Sequence, residues 1–252
     1  MPVPSPGGNR RRAAMLVLVV VLAAVAAAAW LVLTPRGGHA EAVSGDPGSS
    51  AAGSLAPGFH APGVDTFYSG QVVEPDPETW TDVRPPAGYR VLVLAQGTDE
   101  STPRDPQVKI LVDAAQRWAR DEARVDLTVR YLGDPHTYID EIDRAAMSGE
   151  ADIIVTAGNG LVDPVAVVSA NYAGEDPQQF LVLGAEVAEP TTNIAATDWQ
   201  GSSYLGEGAP ETDYYDPSAV TPPRAYAALR AGTAAVLSGY TSVIVRIPAD
   251  RY

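Results

Sequence analysis

Four groups of side chains in this sequence have the types that do chemistry. Asp99-Glu100-Ser101-Thr102 sets two carboxylates beside two hydroxyls, which can hold a polar ligand or move a proton. Ala157-Gly158-Asn159-Gly160-Leu161 carries two glycines that let a ligand approach the backbone, just ahead of a helix start whose amides suit an acceptor. Asp198-Trp199 pairs a carboxylate with an indole that either stacks on a flat ligand or sugar or covers the edge of a core. Glu207, Glu211, Asp213 and Asp216 offer oxygen ligands for a hard cation. Each group also has a plainer use. Glycine pairs make tight turns, Asp and Ser solvate loops and cap helices, and the acidic spacing fits no calcium loop.

Residue types exclude much else. There is no Cys, so disulfides, thiolate nucleophiles, Cys-based zinc sites and a lipid-bearing N-terminal Cys are ruled out. The histidines are His39, His60 and His136, too scattered along the chain for a metal cluster or a triad. A dinucleotide fingerprint starting at Gly158 fails at Asp163, and neither a phosphate-binding Gly-Lys-Ser/Thr nor a Gly-x-Ser-x-Gly elbow occurs. We therefore expect no cofactor, no metal and no catalytic residue. The expected ligand contacts are Asp99, Ser101, Gly158, Asn159, Gly160 and Trp199. A carboxylate-dependent hydrolase is an alternative, and it needs two strand-end carboxylates such as Asp99 and Asp198 facing each other across a cleft.

The elements that must position these residues alternate along the chain. Apolar, β-branched runs at 90–96, 125–131, 152–156, 180–183, 193–196 and 242–247 read as strands. Asp105-Pro106, Asp134-Pro135, Asp163-Pro164 and Thr221-Pro222 read as helix starts, each a capping residue before a first-turn proline. This alternation predicts an α/β fold: a doubly wound parallel sheet, flavodoxin-like, with right-handed crossovers and ligands beyond the carboxyl ends of the strands. The long stretch 201–221 interrupts the pattern and reads as a lid or an acidic loop.

Residues 13–34 contain no charge and follow Arg10, Arg11 and Arg12. About 20 apolar residues span a bilayer, and positive charge stays cytoplasmic. The expected organisation is a cytoplasmic N-terminus at 1–12, a transmembrane signal anchor at 13–34 and a flexible tether at 35–64. A lead-in packed on the domain surface at 65–89 and an extracytoplasmic α/β domain at 90–252 follow. A cleaved signal peptide ending at Gly38-His39-Ala40 is the competing reading. Four of the 17 basic residues precede residue 40, which leaves 13 against all 31 acidic ones beyond it, a net of −18. Such a domain repels phosphate backbones, so nucleic acid is not an expected partner.

From Thr137 onward the run TYIDEIDRAAMSGEADIIVTAGNGLVDPVAVVSANYAGEDPQQFLVLG, followed by NIAATDW, resembles the basic membrane protein family of bacterial substrate-binding proteins, which includes purine-nucleoside receptors. The likeness extends, more loosely, over residues 90–247. It implies one lobe of a periplasmic-binding-protein-like fold. The sequence departs from the family where a nucleoside would be gripped. The opening motif is reduced to Asp99-Glu100-Ser101, Asn159 stands for an aromatic, and Gly184 stands for an Asp. The resemblance implies a non-catalytic, membrane-tethered binding or interaction module with a small-molecule ligand, a protein partner or a homodimer. A solute-binding protein of an ABC-type transporter, for nucleosides or sugars, is its alternative.

Overall fold

The computed structural model describes residues 53–60, 68–103, 105–122, 124–202, 215–248 and 250–252. The expected anchor at 13–34, most of the tether, His39, and Glu207, Glu211 and Asp213 of the long excursion lie outside the described residues. Among the described residues no helix is long and apolar enough to cross a membrane.

Seven strands form one all-parallel sheet: β1 (Gln71–Val73), β2 (Tyr89–Gln96), β3 (Val125–Leu132), β4 (Ile153–Ala157), β5 (Gln179–Leu183), β6 (Ile194–Asp198) and β7 (Val243–Arg246). Their order is β1-β7-β6-β5-β4-β2-β3, with parallel register throughout. From β3 through β6 this is the flavodoxin-like order predicted above. Four helices cover it: α1 (Pro106–Glu122), α2 (Tyr138–Ser148), α3 (Val162–Ser169) and α4 (Pro222–Leu237). Strand alternation divides the core in two. Val91, Val93 and Ala95 of β2 face α1 and α4, whereas Leu92 and Leu94 face α2 and α3.

The helix starts follow the predicted logic at Asp105 and Thr221, and at Asp134 through an intervening turn. Asp105 accepts from the Gln107 amide at 2.9 Å, and Thr221 precedes Pro222 in extended conformation. Asp134 accepts from the His136 amide at 3.0 Å as the cap of a 3-10 turn over Pro135–Thr137, and the N-cap of α2 itself is Thr137. The expectation for Asp163 is corrected. A 3-10 turn over Asn159–Leu161 runs straight into α3, so the N-cap is Leu161 and Asp163 sits in the first turn. There its charge favours the positive end of the helix.

Two further expectations are corrected. The lead-in does not simply rest on the domain: β1 extends the sheet beside β7, and Trp80 and Val83 are buried in the α1/α4 core. Three residues among prolines are too short to show strand periodicity. Within the span expected to be a tether, residues 53–60 fold against the same core. Phe59 is 2% exposed, its ring 5.6 Å from that of Tyr240, and the Ala56 amide donates to the Thr79 carbonyl at 2.8 Å. Phe59, with Leu55 packed on the same core and His60 against Tyr240, docks this Gly/Pro-rich segment.

Crossover hand is not uniform either. The step from β2 to β3 runs toward one sheet edge with α1 on the first face. The steps from β3 to β4 and β4 to β5 run the other way, with α2 and α3 on the second face. Direction and face reverse together, so these three share one hand. The step from β6 to β7 runs like β4 to β5, yet α4 lies on the first face beside α1. Its hand is opposite. The chirality rule assumes a strand feeding directly into its helix. Here residues 199–221 separate them, and α4 is free to pack where its apolar surface is largest.

Candidate functional site

In an open α/β sheet the ligand position is the carboxyl edge, above all where strand order reverses. That point lies between β2 and β4. The loops after these strands carry Asp99, Ser101, Gly158, Asn159 and Gly160, so the structure does bring five of the six expected residues to one region.

Their hydrogen bonds serve the loops themselves. The exposed Asp99 carboxylate accepts from the Ser101 amide at 2.8 Å and from the Ser101 hydroxyl at 2.6 Å. The Ser101 hydroxyl bond, then the amide bond, hold the Asp99 carboxyl below its ordinary range. Thr98 and Thr102 close the turn through backbone bonds at 3.2 Å. Gly158 has φ +84°, the left-handed region that favours glycine, and its amide already donates to the Leu183 carbonyl at 2.9 Å. Half-buried Asn159 opens the 3-10 turn. A Cβ at Gly160 would meet the carboxamide of buried Gln96, the end of a flexible side chain that would have to shift. In this arrangement Gln96 occupies the space the glycine leaves.

Trp199 is placed elsewhere. It is 1% exposed and belongs to the α1/α4 core, so no face of the indole is open for stacking. Gly184 gives it room: a Cβ at that position would stand 3.4 Å from the ring and 3.2 Å from Leu111. Of the two uses expected for this indole, the structure has the cover of the core edge.

The strongest electrostatic feature was only half visible in the sequence. Glu186 follows β5, Asp198 ends β6 and Arg246 ends β7, side by side along the rim. The Arg246 guanidinium donates to Asp198 at 2.6 Å and 3.0 Å and to Glu186 at 2.5 Å. Both carboxylates are buried, at 4% and 9% side-chain exposure, and Arg246 is 32% exposed. Burial first, then a hydrogen bond and charge repulsion from Asp198, push the Glu186 carboxyl up to about 7, against the pull of Arg246. Glu74, just beyond β1, adds its field to Arg246 from the other side. Asp198 stood out as a strand-end carboxylate. Glu186 and Arg246 did not, although a lone charge in the apolar run SVIVRI was an available signal.

This trio is an ion-pair network centred on Arg246. A carboxyl raised to about 7 has the energetics of a general acid, and here it lies against Asp198 and Arg246. The example pair for the hydrolase reading, Asp99 and Asp198, does not face across a cleft. Their strands β2 and β6 are three spacings apart, about 14 Å at ~4.8 Å each. The carboxylates that do stand together, Glu186 and Asp198, are bridged by Arg246. Among the described residues no three His, Asp or Glu side chains gather as a metal site. His136 lies at the surface, and His60 approaches the Tyr240 hydroxyl at 3.3 Å. Asp216, the described member of the acidic loop set, accepts from the Ser218 amide and hydroxyl at 2.9 Å and 2.7 Å. An open concavity of about 490 Å³ lies away from the rim, against β3, lined by Gln116, Ala119, Arg120, Val125, Leu127 and Val129.

No family model and no curated protein matches the chain. Solved structures to which part of the chain is similar include ABC transporter solute-binding proteins. That of Aeropyrum pernix K1 is 23% identical, over 45% of this chain and 29% of that one, with a TM-score of 0.38. That of Conexibacter woesei DSM 14684 is 20% identical, over 45% and 36%, with a TM-score of 0.34. A solute-binding protein of Bradyrhizobium sp. BTAi1 with bound bis-tris is 13% identical, over 79% and 58%, with a TM-score of 0.31. The chain thus spans less than two thirds of each of these proteins.

Proposed function

We propose that the chain is a membrane-tethered, extracytoplasmic binding or interaction module derived from a substrate-binding-protein lobe, and that it is not an enzyme. The observation that carries this reading is the carboxyl rim of the sheet. Gln96 fills the niche over Gly160, Trp199 is sunk in the core, and Arg246 ties Glu186 to Asp198. A small ligand normally loses most of its surface to a pocket. A rim occupied by its own side chains offers such a ligand little. The apolar stretch at 13–34 with its three preceding arginines supports the tether and the outward-facing domain. The resemblance to the basic membrane protein family supports the descent from a receptor lobe.

One observation favours the second reading, a solute-binding protein of an ABC-type transporter. Asp99, Ser101 and the Gly158–Gly160 turn stand at the switch point, where ligands sit in folds of this kind. Calorimetry separates the two. The compact unit Ser44–Tyr252 is the piece to use, because it keeps Phe59, Trp80 and β1. Titrated with nucleosides and sugars, it is expected to give no binding tighter than about 100 μM. Submicromolar binding by a monomer would overturn the interaction-module reading in favour of the solute receptor.

A further inference from the structure

Among the described residues β3 is an edge of the sheet and pairs with β2 alone. Two bonds fix which of its backbone groups face outward. The Tyr89 amide donates to the Arg124 carbonyl at 3.2 Å, and the Gly97 amide to the Leu132 carbonyl at 3.1 Å. Backbone groups in a strand point to alternate sides, residue by residue. The even-numbered residues of β3 therefore bond to β2, and the amides and carbonyls of Val125, Leu127, Val129 and Tyr131 point away from the sheet. Side chains sort by the same alternation. Val125, Leu127, Val129 and Tyr131 lie partly buried on the α1 face, and the first three line the open concavity. Asp126 and Thr128 are exposed on the other face, and Arg130 is half-buried there, paired with Glu150 at 2.8 Å.

We propose that this edge is a homodimer interface, in which β3 pairs antiparallel with β3 of a second copy about a twofold axis at Thr128. The sequence of the strand is complementary to itself in that register, the one register that sets Asp126 opposite Arg130. Asp126 then stands opposite Arg130 of the second copy, and Thr128 opposite Thr128, in the non-hydrogen-bonded pairs where side chains approach most closely. Val125 stands opposite Tyr131 and Leu127 opposite Val129 in the hydrogen-bonded pairs, which use every outward amide and carbonyl of these residues. Moving the axis two residues either way sets Asp126 against Asp126 or Arg130 against Arg130, which like-charge repulsion disfavours. A one-residue slip sets Leu127 against Thr128 and mismatches the two faces. α1 lies over β2 and β3, so the two copies of α1 come to rest about two strand spacings apart, roughly 10 Å, an ordinary distance between packed helices. The concavity lined by Gln116 and Ala119 is then closed. An isologous contact of this kind ends at two copies and does not grow into a fibre.

The proposal deepens the interaction-module reading by naming a second copy as the partner. Its test is separate from the calorimetry. The chain has no Cys, so one introduced cysteine reports on one position. In the full chain, Thr128→Cys is expected to form a disulfide-linked dimer under mild oxidation, because facing Cα atoms in such a pair are about 4.5 Å apart. Asp126→Cys is expected to stay monomeric on the same non-reducing gel, its two copies being about 14 Å apart, four residues along the strand. Adding Asp126→Arg to the Thr128→Cys chain is expected to cut the cross-link yield about tenfold, and Asp126→Arg with Arg130→Asp to restore it. Equal cross-linking at 126 and 128, or none at 128, overturns the interface. So would a charge swap that fails to rescue.

Discussion

The carboxyl of Glu186 is held between two charged neighbours in a nearly closed space, and their effects on its proton are unequal. Burial raises its affinity for the proton, Asp198 raises it further through a hydrogen bond and its charge, and Arg246 lowers it. The sum moves the group from its ordinary 4.5 to about 7. Between those two pH values the unfolded chain has lost this proton and the folded chain keeps it. Stability from this group therefore falls as pH rises from about 4.5 to 7 and changes no further above that. Glu186→Gln, which keeps the shape and removes the titration, should flatten the fall. Urea midpoints at pH 5 and pH 8 check this: the wild type should lose up to about 3 kcal/mol more than the variant over that interval. An identical pH dependence in the two proteins would show that Glu186 ionises normally. Asp198 was legible as a strand-end carboxylate. Its coupling to Glu186 was not, because Arg246 is 48 positions from Asp198 and 60 from Glu186. Only neighbouring strands bring the three together.

At the scale of elements, local signals worked where the chain is long and periodic. The 17 residues of α1 bury Val108, Leu111, Val112, Ala115 and Trp118 as the 3.6-residue spacing predicts, with Ala114 buried in addition and Ala119, expected on the same face, half-buried. Local signals failed where an element owes its existence to docking. β1 has three residues, and the segment 53–60 is held by Phe59 against Tyr240 and by one backbone bond to Thr79. Phe59→Ala in the unit Ser44–Tyr252 should cost about 3–5 kcal/mol, read as a lower urea midpoint at unchanged slope. A change under about 0.5 kcal/mol would mean that 53–60 does not dock, and that the tether extends to residue 64 as its composition suggests. The Asp163 start was displaced for a related reason. Caps are recognised from residue type, but the Asn159–Leu161 turn begins the helical rotation before the capping residue is reached.

For the whole molecule, charge is the property that composition fixes most directly. A net of −18 beyond residue 40 sets a long-range repulsion between two copies, against which the two Asp126–Arg130 pairs act only at contact. Screening reaches about 10 Å at 0.1 M salt and 30 Å at 0.01 M. Homodimerisation of the β3 edge should therefore tighten as salt rises from 0.01 M to 0.15 M, measured as the monomer–dimer constant in the ultracentrifuge. Weakening over that range would mean that exposed ion pairs, not apolar contact and backbone bonds, hold the copies together.

The sequence by itself determined what local chemistry can determine. It determined the absence of thiol chemistry, the acidity, the uncharged stretch at 13–34, the alternation of strand and helix, and most helix starts. These depend on residue type and on spacing over no more than 22 positions. The tertiary structure decided everything that depends on which distant segments are neighbours. It buried Trp199, set Gln96 against Gly160 and joined Glu186, Asp198 and Arg246 on three strands. It put β1 at the far edge, gave the last crossover the opposite hand and left β3 at the other edge. The physical reason is the same in each case. A side chain's role follows from what packs against it, and packing partners are assigned by strand order, which a one-dimensional pattern does not encode.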